Sequence, residues 1–196
     1  MVPQLRLALI DSAYPQAQLT QAQIDYLMDE PPYWAFCWAS GQVMARYLLD
    51  NPELLKERTV IDFGSGSGVV AIAAAIAGAS RSIALDIDEN ALLATSYNAQ
   101  LNQVSVELSN NVDNANIDAS NSLLLVADVF YDRDNIPLLK SFIDDYQDLI
   151  IADSRVKPEE LSGMREIDRF NSCTVPDLAE ASDFNSVGIY RKCQSC

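Results

Sequence analysis

The 196-residue chain contains no histidine. That absence removes Ser-His-Asp and Cys-His hydrolase mechanisms and every His-ligated metal centre. Long apolar runs are missing as well. The longest, Val69 to Ala79, is shorter than the roughly 20 residues a helix needs to span a bilayer. The apolar patch around Leu7 to Ile10 has no basic region before it, so no secretory signal is expected, and the expected location is cytoplasmic with no membrane partner. Basic residues are scarce: Lys plus Arg is 13 against 28 for Asp plus Glu, a net charge of −15. A field of that sign repels phosphates, so no nucleic-acid partner is expected either. Four cysteines cannot scaffold a chain of this length with disulfides. The Cys193 and Cys196 pair at the extreme end reads as two incidental thiols on a frayed tail, with a redox or metal half-site as the alternative. Without histidine or a carboxylate cluster at ligand spacing, no metal site is expected.

Apolar material for a core is present, at 49% hydrophobic and 21% charged residues. The length suits a single domain over residues 1–196, with a helical lead over 1–58 and a sheet core over 59–196. In the lead, a short helix with Leu19, Ile24 and Leu27 on its apolar side ends at Pro31-Pro32. A second helix starts near Ser40, carries the stripe Val43, Met44, Tyr47 and Leu48, and closes at Asn51-Pro52.

From Thr59 the pattern changes to strands alternating with helices. Strands are expected at Thr59–Phe63, Ser82–Asp86, Val104–Leu108, Leu123–Val126, Leu149–Ala152, Cys173–Val175 and Val187–Tyr190. Helices are expected over Val69–Ala77, ending at Gly78, from an Asp88 cap to about Leu101, over Ile136–Tyr146, and as a polar helix near Pro158–Arg169. The asparagine-rich stretch from Ser109 to Ser122 reads as a loop or weak helix. The alternation implies an α/β, doubly wound, Rossmann-like sheet of seven strands, the last antiparallel because no convincing helix precedes it.

The chemistry concentrates after the first strand, at Asp62-Phe63-Gly64-Ser65-Gly66-Ser67-Gly68. Glycines there let the backbone turn sharply and approach a ligand, and the next helix presents free N–H groups. A dinucleotide fingerprint needs a small third residue where this chain has Val69, and a phosphate-binding loop needs a lysine that is missing here. Asp86 ends the second strand, where a carboxylate can accept both hydroxyls of a ribose. Asn111, after the third strand, is a candidate for an adenine edge or a plain turn residue.

Gly64-x-Gly66-x-Gly68 preceded by Asp62 and followed by Asp86 resembles the seven-β-strand (class I) S-adenosylmethionine-dependent methyltransferases. Pro32-Tyr33-Trp34-Ala35-Phe36-Cys37-Trp38, Asp86-Ile87-Asp88 and Asp128-Val129-Phe130-Tyr131-Asp132 narrow the resemblance to protein lysine methyltransferases, in the subfamily acting on the electron-transfer-flavoprotein β-subunit. The resemblance implies S-adenosylmethionine as cofactor, bound by Trp38, Asp62, Gly64, Ser65, Gly66, Gly68, Asp86, Ile87 and Asn111. It implies a lysine-bearing protein as substrate, contacted by Asp128 and Tyr131 as catalytic residues. Where the family has Asp-Pro-Gly-Arg after the fifth strand, this chain has Asp153-Ser154-Arg155.

Other readings share parts of this pattern. Glu30-Pro31-Pro32-Tyr33 echoes a motif of adenine amino-methyltransferases, but it follows a polar, helix-like stretch where that motif needs a buried strand. A glutamine methyltransferase would carry two prolines where Asp128-Val129-Phe130-Tyr131 has none. A small-molecule N-methyltransferase acting on a nicotinamide-like amine, or a non-catalytic partner-binding module, would keep the same fold.

Overall fold

The computed structural model describes residues 2–112, 115, 117–178 and 180–193. In chain order the elements are helices α1 (Gln21–Asp29) and α2 (Ala39–Asp50), strand β1 (Thr59–Phe63), helix α3 (Val69–Ile76), strand β2 (Arg81–Leu85) and helix α4 (Glu89–Leu101). Strands β3 (Glu107–Ser109) and β4 (Ser122–Ala127), helix α5 (Ile136–Asp145), and strands β5 (Asp148–Asp153), β6 (Met164–Asn171) and β7 (Ser186–Lys192) complete them.

The strands form one sheet in the order β3-β2-β1-β4-β5-β7-β6. β1 to β5 run parallel, and β7 is antiparallel to both of its neighbours. This is the doubly wound α/β sheet expected from the alternation of elements. Because successive strand residues face opposite sides, a strand buried on both faces needs apolar residues at nearly every position. Val60, Leu123, Leu125 and Ile150 face the core built on Met44 and Leu48 of α2 and Val70 and Ala73 of α3. Ile61, Leu124, Val126 and Ile151 face the opposite core, with Leu139 and Phe142 of α5.

Several boundaries differ from the sequence reading. The expected polar helix near Pro158–Arg169 is a short turn followed by β6, an edge strand exposed along most of its length. With solvent on it, β6 has no reason to carry the apolar alternation that marks a strand. Cys173–Val175 is not a strand of the sheet; Val175 makes a single bridge to Cys37 of the lead. β3 starts at Glu107, because Val104 is held by a bond from its N–H to Ala99 O. The expected short helix before Pro31-Pro32 is α1, which starts after Thr20 in a capping box with Gln23, but none of its own residues is buried and Ile24, expected on its apolar side, is exposed. Cys193 is a free, exposed thiol, and Cys196 lies outside the described residues. No helix among the described residues is long and apolar enough to cross a membrane.

Candidate functional site

Strand register sets the site. Phe63 lies beside Leu85 on one side and Val126 on the other, and Ala127 lies beside Ala152. The segments that leave these strands, from Gly64, Asp86 and Asp128, therefore begin side by side on one edge of the sheet. The order of strands reverses between β1 and β4, which opens a crevice at that edge.

The glycine loop is tied on every side. The N–H groups of Gly64 and Ser65 both donate to Leu85 O, at 2.8 and 3.0 Å. From α4, Thr95 Oγ1 donates to Gly66 O at 3.1 Å and Asn98 Nδ2 to Ser67 O at 2.9 Å. The glycines are not equivalent. A Cβ on Gly64 would sit 2.8 Å from Val129 Cγ2, and one on Gly68 2.7 Å from Thr95, while on Gly66 the nearest atom is Trp34 Cα at 3.9 Å. Gly64 and Gly68 thus let the loop pack against the protein, and Gly66 leaves backbone accessible. Gly68 also has φ +80. Gly68→Ala should cost about 2–4 kcal/mol, from left-handed backbone plus overpacking. Urea unfolding checks this, and an unchanged midpoint would refute it.

Ser65 Oγ is buried and has no hydrogen-bond partner among the described residues. An unmade bond at a buried hydroxyl costs roughly 1–3 kcal/mol, so this hydroxyl suits a polar group of a ligand. Beside it, Asp86 Oδ2 accepts from Gly66 N at 2.9 Å and Oδ1 from Asp88 N at 3.0 Å. A carboxylate has about four lone-pair sites, so capacity remains on Asp86 for hydroxyl donors. Burial pushes the Asp86 carboxyl above its ordinary pKa, against the pull of the Asp88 and Gly66 N–H groups. Ile87 is 92% exposed, an apolar surface next to that carboxylate. Asn111 lies in an exposed turn closed by Ser109 Oγ, which donates to Asn111 O at 2.7 Å.

Asp62 has a structural partner that its spacing did not reveal. Its Oδ2 accepts from Ala71 N at 3.0 Å, in the first turn of α3, whose cap residue Gly68 has no side chain to offer. Burial raises its pKa to about 7; the Ala71 N–H works against that, and the nearby Asp86 charge adds to it. A carboxyl whose pKa is raised on folding contributes stability below its unfolded value near 3.8, and that contribution is lost as pH climbs to about 7. Asn at this position can keep the bond to Ala71 without ionising. Asp62→Asn should therefore gain on the parent chain by on the order of 2–4 kcal/mol between about pH 4 and pH 7. Parallel stability profiles for the two proteins across that range would show the assignment to be wrong.

Asp128 and Tyr131 meet different residues of the lead, Ser40 and Tyr33. Asp128 has φ +54 and a side chain only 8% exposed. Its Oδ2 accepts from Ser40 N at 2.8 Å, and its Oδ1 accepts from Ser40 Oγ at 2.7 Å. Ser40 sits in the first turn of α2, whose cap residue Trp38 makes no side-chain cap. A residue from the end of β4 thus caps α2 across the fold and meets the positive end of its dipole. Burial raises the Asp128 pKa to about 6 despite the Ser40 bonds. Arg155 Nη1 stands 3.6 Å from Asp128, while Arg155 Nη2 donates to Glu180 at 2.6 Å and the guanidinium lies 4.4 Å from the Phe184 ring centre. These contacts fasten the connection between β6 and β7 to the rim.

Tyr131, 44% exposed, packs its ring 5.2 Å from that of Tyr33. Tyr33 in turn lies 5.9 Å from Trp38, and Trp38 Nε1 donates to Tyr33 O at 2.9 Å. The indole of Trp38 thus enters an aromatic cluster, and it is Trp34 whose backbone meets the glycine loop. The sequence reading missed Ser40, Tyr33, Thr95 and Asn98. The last two had a signal: Ala91, Thr95, Asn98 and Ala99 are the buried residues of α4, polar groups on an otherwise small, apolar helical stripe.

The profile of the family described as ribosomal protein L11 methyltransferase (PrmA) matches residues 43–154. The human electron transfer flavoprotein beta subunit lysine methyltransferase is 38% identical over 136 residues, covering 68% of this chain and 50% of that protein. The Caenorhabditis elegans homolog of that enzyme is 36% identical over 163 residues, covering 76% of this chain and 66% of its own length. The chain spans about half the length of the mammalian relatives it matches. Among solved structures, a magnesium protoporphyrin IX methyltransferase from Synechocystis PCC 6803 with bound SAM gives a TM-score of 0.60 at 16% identity, over 91% of this chain and 86% of that one. At that identity the likeness is one of fold.

Proposed function

The chain belongs to the ribosomal protein L11 methyltransferase (PrmA) family, and we propose that it transfers a methyl group from S-adenosylmethionine to a lysine side chain of a protein. The observation that carries the cofactor assignment is the orphaned Ser65 hydroxyl beside Asp86, whose two oxygens keep lone pairs free. Asp86 suits the two ribose hydroxyls, Ile87 the adenine face, Asn111 its edge, and Gly66 with Ser65 the amino-acid end. Asp62 places a carboxyl behind the loop for the ammonium. The lead over 1–58 and the core over 59–196 are read as one catalytic unit, supported by the approach of Trp34 Cα to 3.9 Å from where a Gly66 Cβ would lie.

When bound, S-adenosylmethionine would supply an electrophilic methyl group on a cationic sulfur for the lone pair of a neutral lysine Nζ, the sulfur keeping the C–S electron pair and the amine proton going to water. The protein's part is to align nitrogen, carbon and sulfur and to shed water from the approach. A free lysine titrates near ~10.4, and a partly dry rim beside the sulfonium favours its neutral form. Tyr131, at the surface, is the group placed to meet the incoming side chain. Asp128, with both oxygens held by Ser40, positions α2 and Trp38 rather than the ammonium itself.

The net charge of −15 supports a protein substrate over nucleic acid. The similarity to the human and nematode enzymes supports the electron-transfer-flavoprotein β-subunit as that substrate. Incubation with labelled S-adenosylmethionine, that purified subunit and a whole-cell extract, followed by mass spectrometry, tests the reading. Label on protein lysine is the expected result. Label confined to small amines or nucleic acid would overturn it.

A further inference from the structure

The rings at the rim differ from ordinary core packing. Tyr33 is 43% exposed and Tyr131 44% exposed. Tyr33 is the shared member of two tilted pairs, with Tyr131 at 53° and with Trp38 at 55° between ring planes. Rings inclined in this way are not stacked on one another, so ring surface of both tyrosines stays open to solvent. Tyr33 is fixed from behind by the bond from Trp38 Nε1 to its carbonyl, while Trp38 itself opens the helix that Asp128 caps.

The local charge is of one sign. Asp86 and Asp132 both act electrostatically on the Tyr131 hydroxyl. Two arginines of the adjoining loops are already engaged, Arg133 by Glu160 and Arg155 by Asp128, Glu180 and the Phe184 ring. Ring faces carry negative charge density and bind an alkylammonium best when it is partly desolvated, with carboxylates nearby adding to the attraction. A neutral or anionic side chain gains neither term. The Asp128 side chain is only 8% exposed and turned to Ser40, so the exposed rings are the recognition element at the surface.

We propose that Tyr33, with Tyr131 and Trp38, forms an aromatic corner that selects the cationic alkylammonium of lysine, which makes Tyr33 a specificity-determining residue. This rests on the reading of the site as a lysine methyltransferase, and it is tested by binding, without turnover. Nα-acetyl-lysine amide and its uncharged counterpart Nα-acetyl-norleucine amide are titrated against the protein saturated with S-adenosylhomocysteine, following tryptophan emission. The lysine compound should bind at least about fivefold more tightly than the norleucine compound. Tyr33→Ala should reduce that preference by roughly five- to tenfold, and Tyr33→Phe should restore most of it. The affinity for S-adenosylhomocysteine should change by less than about twofold in both variants, which shows that the site is still folded. Equal binding of the two amides to the parent protein, or an undiminished preference in Tyr33→Ala, would overturn the corner. Either result leaves methyl transfer to be judged separately by the labelling experiment, and absence of protein labelling with an intact, Tyr33-dependent lysine preference would fault the reaction and not the corner.

Discussion

Asp86→Ala should weaken S-adenosylmethionine binding by roughly 10- to 150-fold, about 1.5–3 kcal/mol, measured by calorimetry. In the proposed site, two charge-assisted hydrogen bonds to the ribose would be lost together. The effect has a second source inside the protein. Asp86 Oδ2 is the acceptor for Gly66 N, and Gly66 is the glycine of the loop that keeps its backbone open to a ligand. Alanine leaves that N–H without its acceptor and frees the loop to drift. Asp86→Asn separates the two contributions. It keeps one acceptor oxygen for Gly66 or for a hydroxyl, and should lose only about a third to a half of the binding energy. Unchanged affinity in Asp86→Ala would remove this residue from the cofactor site.

The sheet was legible because its buried strands are short, branched and bounded by glycine or aspartate. Thr59–Phe63 was read to the residue, and Asp88 was read as the cap of α4, where its side chain accepts from Asn90 N. Burial on both faces wrote the fold into composition at these positions. β6 was illegible for the opposite reason. Met164–Asn171 pairs only with β7 and exposes most of its side chains, so hydrophobic selection left no trace on it. Its polar residues read as readily as a solvated helix.

The site was legible only in part, because spacing along the chain cannot show which group a side chain faces. Gly64, Ser65, Gly66 and Asp86 stand together as their order suggested. Asp62 was read by its place before the glycine loop and Asp128 by its place after the fourth strand, and both fold back to serve a helix N-terminus. Asp62 reaches Ala71 within its own β-α unit. Asp128 reaches Ser40, 88 residues earlier in the chain, a relation no local pattern contains. Helices α3 and α2 begin at Gly68 and Trp38, neither of which makes a side-chain cap. A missing local cap on a buried helix is itself a signal that a distant acceptor must exist, and it points to a carboxylate.

That relation decides what Asp128→Ala should do. The substitution removes both acceptors from Ser40 and leaves the buried first turn of α2 without its cap, while Arg155 loses a partner at 3.6 Å. Trp38 immediately precedes that turn and carries the carbonyl-bound Tyr33 with it. Methyl transfer should fall by about 30- to 1000-fold, equivalent to 2–4 kcal/mol of lost alignment at the reacting centre. Stability should drop by about 1–3 kcal/mol from the uncapped N–H and hydroxyl. Affinity for S-adenosylmethionine should stay within about threefold, because the ribose and glycine-loop contacts are made by other residues. Asp128→Asn is the informative companion. An amide can accept from Ser40 N and donate to Ser40 Oγ, so a positioning role predicts that turnover returns to within about tenfold of the parent. If instead the Asp128 charge itself grips the lysine ammonium, Asn will be as slow as Ala although it folds as stably as the parent. Turnover and unfolding free energy measured on the same three proteins distinguish these outcomes, and a slow, fully stable Asn variant would return Asp128 to direct contact with the substrate.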